Sequence, residues 1–223
     1  MILCLETATK NCSVALVSDG TILHSRSEYA DKFVHGERLH LLIKECVDEA
    51  GISFEELDAV CVGKGPGSYT GLRIGVSAAK GICYASRLPL YSLPTLGCFD
   101  FEKVQEDLVI TVIDARRDEV FAQKWLRRGT EFKAYGEVEA VVVNTQSWSE
   151  WNTERVRVIG DAAEKVSDLH GNTSWEYSKD EFPSAFHMTR FLDTSEMVRE
   201  DVAYFEPFYL KDFIALKSSK KLL

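Results

Sequence analysis

GKGPGSYTGLRIGVSAAKG, residues 63 to 81, joins an apolar run to a glycine-marked turn and the turn to a helical pattern, and this junction decides the fold. Ala59-Val60-Cys61-Val62 before it reads as a buried strand, and Gly65-Pro66-Gly67 punctuates the strand's end. Ser68 is placed to cap a helix. Along that helix, apolar or small residues recur at Gly71, Ile74, Gly75, Ala78, Ala79, Ile82 and Ala85 with a helical period. Gly71, Gly75 and Ala79 stand four apart, so they line up on one side, where another backbone can come close. A glycine inside a helix costs roughly 1 kcal/mol relative to alanine. Gly71, Gly75 and Gly81 together therefore imply close packing that more than offsets the cost.

The same stretch admits two chemical readings. In one, the glycines serve only turn geometry and helix packing. In the other, the N–H groups at a glycine-preceded helix N-terminus hold an anion or nucleotide. Neither GxGxxG nor GxxxxGK[ST] is present, because Leu72 and Arg73 follow Gly71, so the pattern leaves both open.

Length and composition narrow the class. The 223 residues are 45% hydrophobic, enough for one large domain or two small ones. A formal net charge of −9 and a pI near 5.1 argue against broad electrostatic binding of nucleic acid by this chain alone. Cys4, Cys12, Cys46, Cys61, Cys83 and Cys98 include no CxxC pair and no histidine at zinc spacing, and each sits among apolar neighbours. Buried thiols in a reducing compartment are the expectation. No apolar run approaches the roughly 18 residues of a membrane span. A cytoplasmic, unexported protein with no membrane partner is expected.

Ile2–Leu5, Ser13–Val17 and Thr21–Ser27 read as a strand meander. The turn between the first two, Glu6-Thr7-Ala8-Thr9-Lys10-Asn11, is similar to the first phosphate loop of the actin, hexokinase and Hsp70 superfamily of ATP-binding folds. That loop carries an Asp followed by Gly-Thr; here Glu6 takes the acidic position and Ala8 replaces the glycine. Glu6, Thr7 and Thr9 thus mark a degenerate phosphate loop. From Val34 the stripe Leu39, Leu42, Ile43, Cys46, Val47 and Ala50 predicts a core-facing helix ended by Gly51. Val34, Arg38, Leu41 and Glu45 fall on a second, mixed stripe, on which Val34 and Leu41 either meet a partner or widen the core face.

Pro89–Leu93 reads as a strand and Pro94-Thr95 as the start of a helix or turn. Beyond a charged boundary near residue 103, strand Leu108–Ile113, turn Asp114–Asp118 and strand Glu119–Leu126 echo the opening meander. Arg116 or Arg117 could clamp a carboxylate or phosphate; pairing with the neighbouring Asp114 and Asp118 in solvent is the simpler expectation. Val138–Val143 and Val156–Ile159 read as strands, 147–151 as a short turn or helix, and Gly160-Asp161-Ala162-Ala163 leads a helical stretch to about Leu169. The superfamily places its adenosine loop there, but the scattered Gly129, Gly136, Gly160 and Gly171 do not make a glycine-rich loop. Residues 184–199 read as a helix around Phe186, Met188, Phe191 and Leu192, and 218–223 as a frayed basic tail.

The strings ETATKNCSVAL, GPGSYTGLRIG, IDARRDEVF, GDAAEK and EPFYLKDF, in this order, resemble the TsaB (YeaZ) family of bacterial tRNA threonylcarbamoyladenosine synthesis. The family motif falls on Gly65, Pro66, Gly67, Ser68, Tyr69, Thr70 and Arg73, with Asp114, Arg116 and Arg117 in support. The resemblance implies an α/β fold of two actin-like (ribonuclease H-like) subdomains with degenerate nucleotide loops, 1–103 binding a partner and 104–223 carrying the tail. It also implies an accessory subunit with no cofactor and no catalysis of its own. The catalytic TsaD paralogue transfers a threonylcarbamoyl group to the adenosine beside the anticodon of tRNAs reading ANN codons. TsaB binds TsaD, a small TsaE-type ATPase joins them, tRNA is reached through TsaD, and alone the chain is expected to form a homodimer.

TsaD proteins carry a helical HxxxH metal pair. Four residues apart, two imidazoles lie about 40° from each other around a helix; five apart, they diverge by about 140°. His35 and His40 are five apart, so no metal is expected. The helices 34–50 and 68–86 are expected to form the partner face, with Gly71, Gly75 and Ala79 at its centre and Gly75→Leu harmless to the fold. Three other readings are an independent small ATPase or kinase using Glu6 and Thr7, a metalloprotease, and a scaffold unrelated to tRNA.

Overall fold

The fold follows from five apolar runs that alternate between two buried faces. In the computed structural model, which describes residues 1–32, 34–192 and 194–211, strands β1 (Ile2–Glu6), β2 (Asn11–Ser18) and β3 (Thr21–Tyr29) form the expected meander. Helix α1 (His35–Ala50) then crosses to β4 (Ala59–Gly63), and α2 (Tyr69–Ser86) to β5 (Leu90–Leu93). β4 and β5 run parallel to β1, as crossover helices require.

The second half repeats this plan. β6 (Leu108–Asp114), β7 (Glu119–Arg128) and β8 (Glu131–Val142) form a second meander, followed by β9 (Val156–Ile159), α3 (Ala163–His170) and β10 (Glu176–Ser178). With a short β11 (Val198–Glu200) at one edge, the sheets are ordered β11-β5-β4-β1-β2-β3 and β10-β9-β6-β7-β8, so β6 to β10 stand in the same relations as β1 to β5. The echo read from two hairpins thus extends to a five-strand unit. One element is not repeated: where α1 separates β3 from β4, the second unit has a single 3₁₀ turn, Ser149–Trp151.

Strand alternation builds three layers of core. Leu3, Leu5, Val14, Leu16, Val60 and Val62 face α1 and α2. The intervening Cys4, Ala15, Val17 and Cys61 meet Val109, Ile113, Phe121 and Trp125 of the second sheet. Ile110, Val112, Val156 and Val158 turn the other way, toward α3 and three tryptophans. A sheet buried on both faces reads as continuous hydrophobic runs, which is why these strands were legible.

The C-terminal region departs from expectation. No long helix covers 184–199: a 3₁₀ stretch, Ala185–Phe191, is followed by strand β11 (Val198–Glu200). Ala185, Met188 and Phe191 are buried at spacing three, the 3₁₀ period. β11 pairs antiparallel with β5, so the chain returns to the first sheet, and assigning everything after 103 to the second subdomain misplaces it. β8 also begins earlier than Val138, because its exposed polar residues mask an edge strand. The basic tail at 218–223 lies outside the described residues.

Candidate functional site

The first loop folds inward. Glu6, Thr7, Ala8 and Thr9 are all buried, with exposures of 3% or less. The Glu6 carboxylate accepts the Thr7 and Ala8 N–H groups on one oxygen, both at 2.8 Å, and the Thr95 hydroxyl on the other at 3.1 Å. Three donors favour the charged form, yet burial outweighs them and pushes the carboxyl up to about 7. In a phosphate loop those N–H groups would face the ligand; here the chain's own carboxylate holds them.

The start of α2 closes over the same loop. Ser68 caps the helix as expected, its hydroxyl accepting the Gly71 N–H, while its own N–H donates to the Ala8 carbonyl at 2.7 Å. Two N–H groups of the helix N-terminus, those of Ser68 and Gly71, are therefore taken up within the chain.

The small-residue stripe is occupied as well. The Thr7 hydroxyl donates to the Gly71 carbonyl at 2.9 Å. A Cβ on Gly71 would stand 2.2 Å from the Thr7 carbonyl oxygen, and one on Gly75 would stand 2.2 Å from the Thr7 hydroxyl oxygen. Ala79 is fully buried. A backbone does approach closely, but it is the chain's own first loop, so these three residues do not form an exposed partner face. Gly75→Leu would disrupt the junction rather than spare it.

His35, at the first position of α1, is also buried against this loop, with Nε2 2.6 Å from the Thr9 carbonyl oxygen. His40 is exposed on another side of the helix. Arg38 pairs with Glu28 of β3 at 2.6 Å, Val34 is half-buried, and Leu41 is exposed.

An open surface lies on the neighbouring face of α2. A groove of about 800 Å³ runs between α1 and α2, walled by Gly36 and His40 on one side and Tyr69, Arg73, Ile74 and Ser77 on the other. The sequence-based expectation placed Gly71, Gly75 and Ala79 on an exposed face of α2, whereas the exposed groove is lined by other positions of the same helix. The cue lay in Ile74, Ser77, Gly81 and Ala85, small or apolar positions one step around α2 from the buried stripe. At the groove mouth the Arg73 guanidinium lies 4.1 Å from the Tyr69 ring centroid, and its Nε donates to the Tyr209 hydroxyl at 3.1 Å. Thr70 is exposed beside them.

In the second unit the Arg116 N–H donates to the Asp114 carboxylate at 3.3 Å, but the Arg and Asp side chains of the turn Asp114–Asp118 form no ion pair with one another. Asp114 forms an ion pair with Lys165, and its N–H donates to Asp161 at 3.0 Å. Burial pushes the Asp161 carboxyl up to about 6. Arg116 and Arg117 are exposed at φ of 71° and 49°, and neither has an ion-pair partner among the described residues. Gly160 packs its backbone on β6, where a Cβ would stand 1.8 Å from the Val112 carbonyl oxygen. The position expected for an adenosine loop is thus taken up by sheet packing. All six cysteines are free and buried, and burial raises the thiols of Cys12, Cys46 and Cys83. Among the described residues no helix is long and apolar enough to cross a membrane.

Duplicated five-strand units joined across a shared core, with the first phosphate loop filled by its own glutamate, define an actin-like protein of the two-subdomain class. The family model for TsaD, tRNA N6-adenosine threonylcarbamoyltransferase, matches residues 30–188. The tRNA threonylcarbamoyladenosine biosynthesis protein TsaB of Escherichia coli is 30% identical, over 97% of this chain and 96% of its own. That of Haemophilus influenzae is 27% identical over 97% and 95%. The solved structure of YeaZ from Pseudomonas aeruginosa superposes with a TM-score of 0.81 at 25% identity, covering 94% of this chain and 99% of that one. The chain belongs to the TsaB (YeaZ) family, and its role lies in tRNA threonylcarbamoyladenosine biosynthesis.

Proposed function

We propose that this chain is a non-catalytic accessory subunit in the threonylcarbamoyl modification of the adenosine next to the anticodon in tRNAs reading ANN codons. It acts by docking the groove between α1 and α2 onto a TsaD paralogue, with a TsaE-type ATPase joining through the complex. The observation that carries this reading is the Glu6 carboxylate on the Thr7 and Ala8 N–H groups. With the Glu6 carboxylate on them, the Thr7 and Ala8 N–H groups are withdrawn from an ATP phosphate, which supports a role exercised through the α1–α2 groove.

The choice of partner rests on shared ancestry. The TsaD model matches the segment that contains both helices, so a TsaD protein presents counterparts of α1 and α2 and can meet this face with a similar one. The second unit has the 3₁₀ turn Ser149–Trp151 where the first has α1, so it offers no matching pair of helices among the described residues. Without TsaD the same face pairs with a second copy. With a net charge of −9, the chain leaves tRNA to its partner.

Reconstitution tests the reading. Labelled threonine, bicarbonate, ATP and tRNA are combined with the cognate TsaC-type, TsaD and TsaE proteins, with and without this chain. Modification is expected only with the chain present, and to fall at least tenfold with Ser77→Trp, which fills the groove from an exposed position. Equal modification without the chain would shift the assignment to an independent ATP-using enzyme.

A further inference from the structure

Both oxygens of the Glu6 carboxylate lead to α2. One holds the Thr7 and Ala8 N–H groups. Thr7 donates its hydroxyl to the Gly71 carbonyl and fills the space beside Gly75, while the Ala8 carbonyl accepts the Ser68 N–H at the start of the helix. The other oxygen reaches the turn before the helix. There the Thr95 hydroxyl, in the 3₁₀ turn Thr95–Gly97, donates to Glu6 at 3.1 Å and accepts the Gly65 N–H at 3.0 Å, and the Thr95 N–H returns to the Gly65 carbonyl at 3.1 Å. These contacts leave no slack: a Cβ on Gly67 would stand 2.5 Å from the Ala8 carbonyl oxygen, and one on Gly63 would overlap the Glu6 carboxylate itself.

The arrangement is complete only for a carboxylate. The Thr95 hydroxyl has one proton, which lies on Glu6, and its oxygen already accepts from Gly65. A proton on the Glu6 oxygen beside Thr95 turns that hydrogen bond round and leaves the Thr95 proton without its acceptor in a fully buried site. A proton on the other oxygen faces the Thr7 and Ala8 N–H groups. Either position disturbs a bond that holds α2 or its entry turn.

No opposite charge offsets the carboxylate among the described residues, since no lysine or arginine is among the groups that act on it. Thiols face it: Cys4 of its own strand, Cys12 of β2, Cys61 of β4 and Cys98 beside the 3₁₀ turn. Burial raises Cys12 and Cys98, and the contact with Cys4 together with burial raises Cys61, so these three are uncharged at neutral pH. His35 of α1, on the Thr9 carbonyl, is lowered by burial. Arg190 of the 3₁₀ stretch Ala185–Phe191 acts on Cys98 and not on Glu6. From α2 and its entry turn only glycines and Ser68 meet the loop. With burial holding the carboxyl up at about 7, both protonation states are populated near neutral pH.

We propose that Glu6 is a proton-operated positioning residue for docking: its ionised form fixes α2 and the entry turn in the placement that opens the α1–α2 groove to a partner, and protonation releases them. The inference rests on the reading of that groove as the docking face. Docking then takes the ionised form and sheds a bound proton, so association strengthens as pH rises. The ionised fraction climbs from about one-tenth at pH 6 to about nine-tenths at pH 8, which limits the gain in affinity to roughly tenfold.

The test is titration calorimetry of the purified full-length chain with the cognate TsaD protein at pH 6, 7 and 8. Two buffers of different ionisation enthalpy at each pH count the protons released. The parent is expected to bind five- to tenfold more tightly at pH 8 than at pH 6, with proton release largest at pH 6. Glu6→Gln, a neutral isostere, should bind at the parent's pH 6 level throughout, with a flatter profile and less proton release. Groups common to both complexes, His40 of the groove included, cancel in that comparison. Thr95→Ser keeps the hydroxyl and should keep the parent's profile. Parallel profiles for the parent and Glu6→Gln would overturn the inference, as would Glu6→Gln binding as tightly as the parent at pH 8. Ser77→Trp probes the groove separately: if it abolishes binding at every pH, the groove stands whatever Glu6 does. If Ser77→Trp binds as the parent does, the docking face is wrong and the inference falls with it.

Discussion

Glu6 decides what the first loop can do, because a carboxylate and a phosphate compete for the same N–H groups. Its position in the sequence suggested a worn phosphate site; only the burial of the side chain shows that the site is filled from within. A pH dependence follows. The folded carboxyl titrates at about 7 against 4.5 for the free group, so the folded state binds the proton more tightly than the unfolded state. This contribution to stability is complete below pH 4.5 and is lost as pH rises through 7, up to about 3 kcal/mol in all. Glu6→Gln, neutral at every pH, is expected to flatten that decline and to be more stable than the parent at pH 8. Urea denaturation of both proteins at pH 5, 6, 7 and 8 checks it; parallel curves would mean that Glu6 is ionised throughout.

Helix α2 carries two kinds of glycine that the sequence does not tell apart. Gly75 meets the Thr7 hydroxyl, whereas a Cβ on Gly81 meets nothing within 4 Å. Gly75→Ala is therefore expected to destabilise the isolated chain by about 1–3 kcal/mol through overpacking. Gly81→Ala should stabilise it by about 0.4–1 kcal/mol by restricting the unfolded chain. Thermal unfolding of the two variants separates them, and shifts of the same sign would contradict the packing described. The helices and central strands were readable because their apolar periods are long and repeated. The 3₁₀ stretch 185–191 and strand β11 were not, since β11 is three residues long and exists by pairing with β5, more than a hundred residues earlier.

At the scale of the molecule, the C-terminal region locks the two units together. The Ala185 N–H donates to the Ser13 hydroxyl at 2.9 Å, and the Asn11 amide donates to the Pro183 carbonyl at 3.1 Å, tying the 3₁₀ stretch to β2. Ser13→Ala leaves the Ala185 N–H buried and unpaired, a loss of about 1–3 kcal/mol. Hydrogen exchange should quicken in 184–192 before it does in the central strands; uniform quickening would argue against a local lock. By itself the sequence determined the duplicated α/β plan, the two long helices of the first unit, the buried thiols and the family, because hydrophobic period and literal motifs are local properties of a chain. The tertiary structure alone decided which face of α2 is open, that Glu6 fills its own loop, that Arg73 lies against Tyr69 and Tyr209, and that residues 198–200 return to the first sheet. Each of these depends on which distant groups meet, and a one-dimensional pattern does not encode the neighbours across a core.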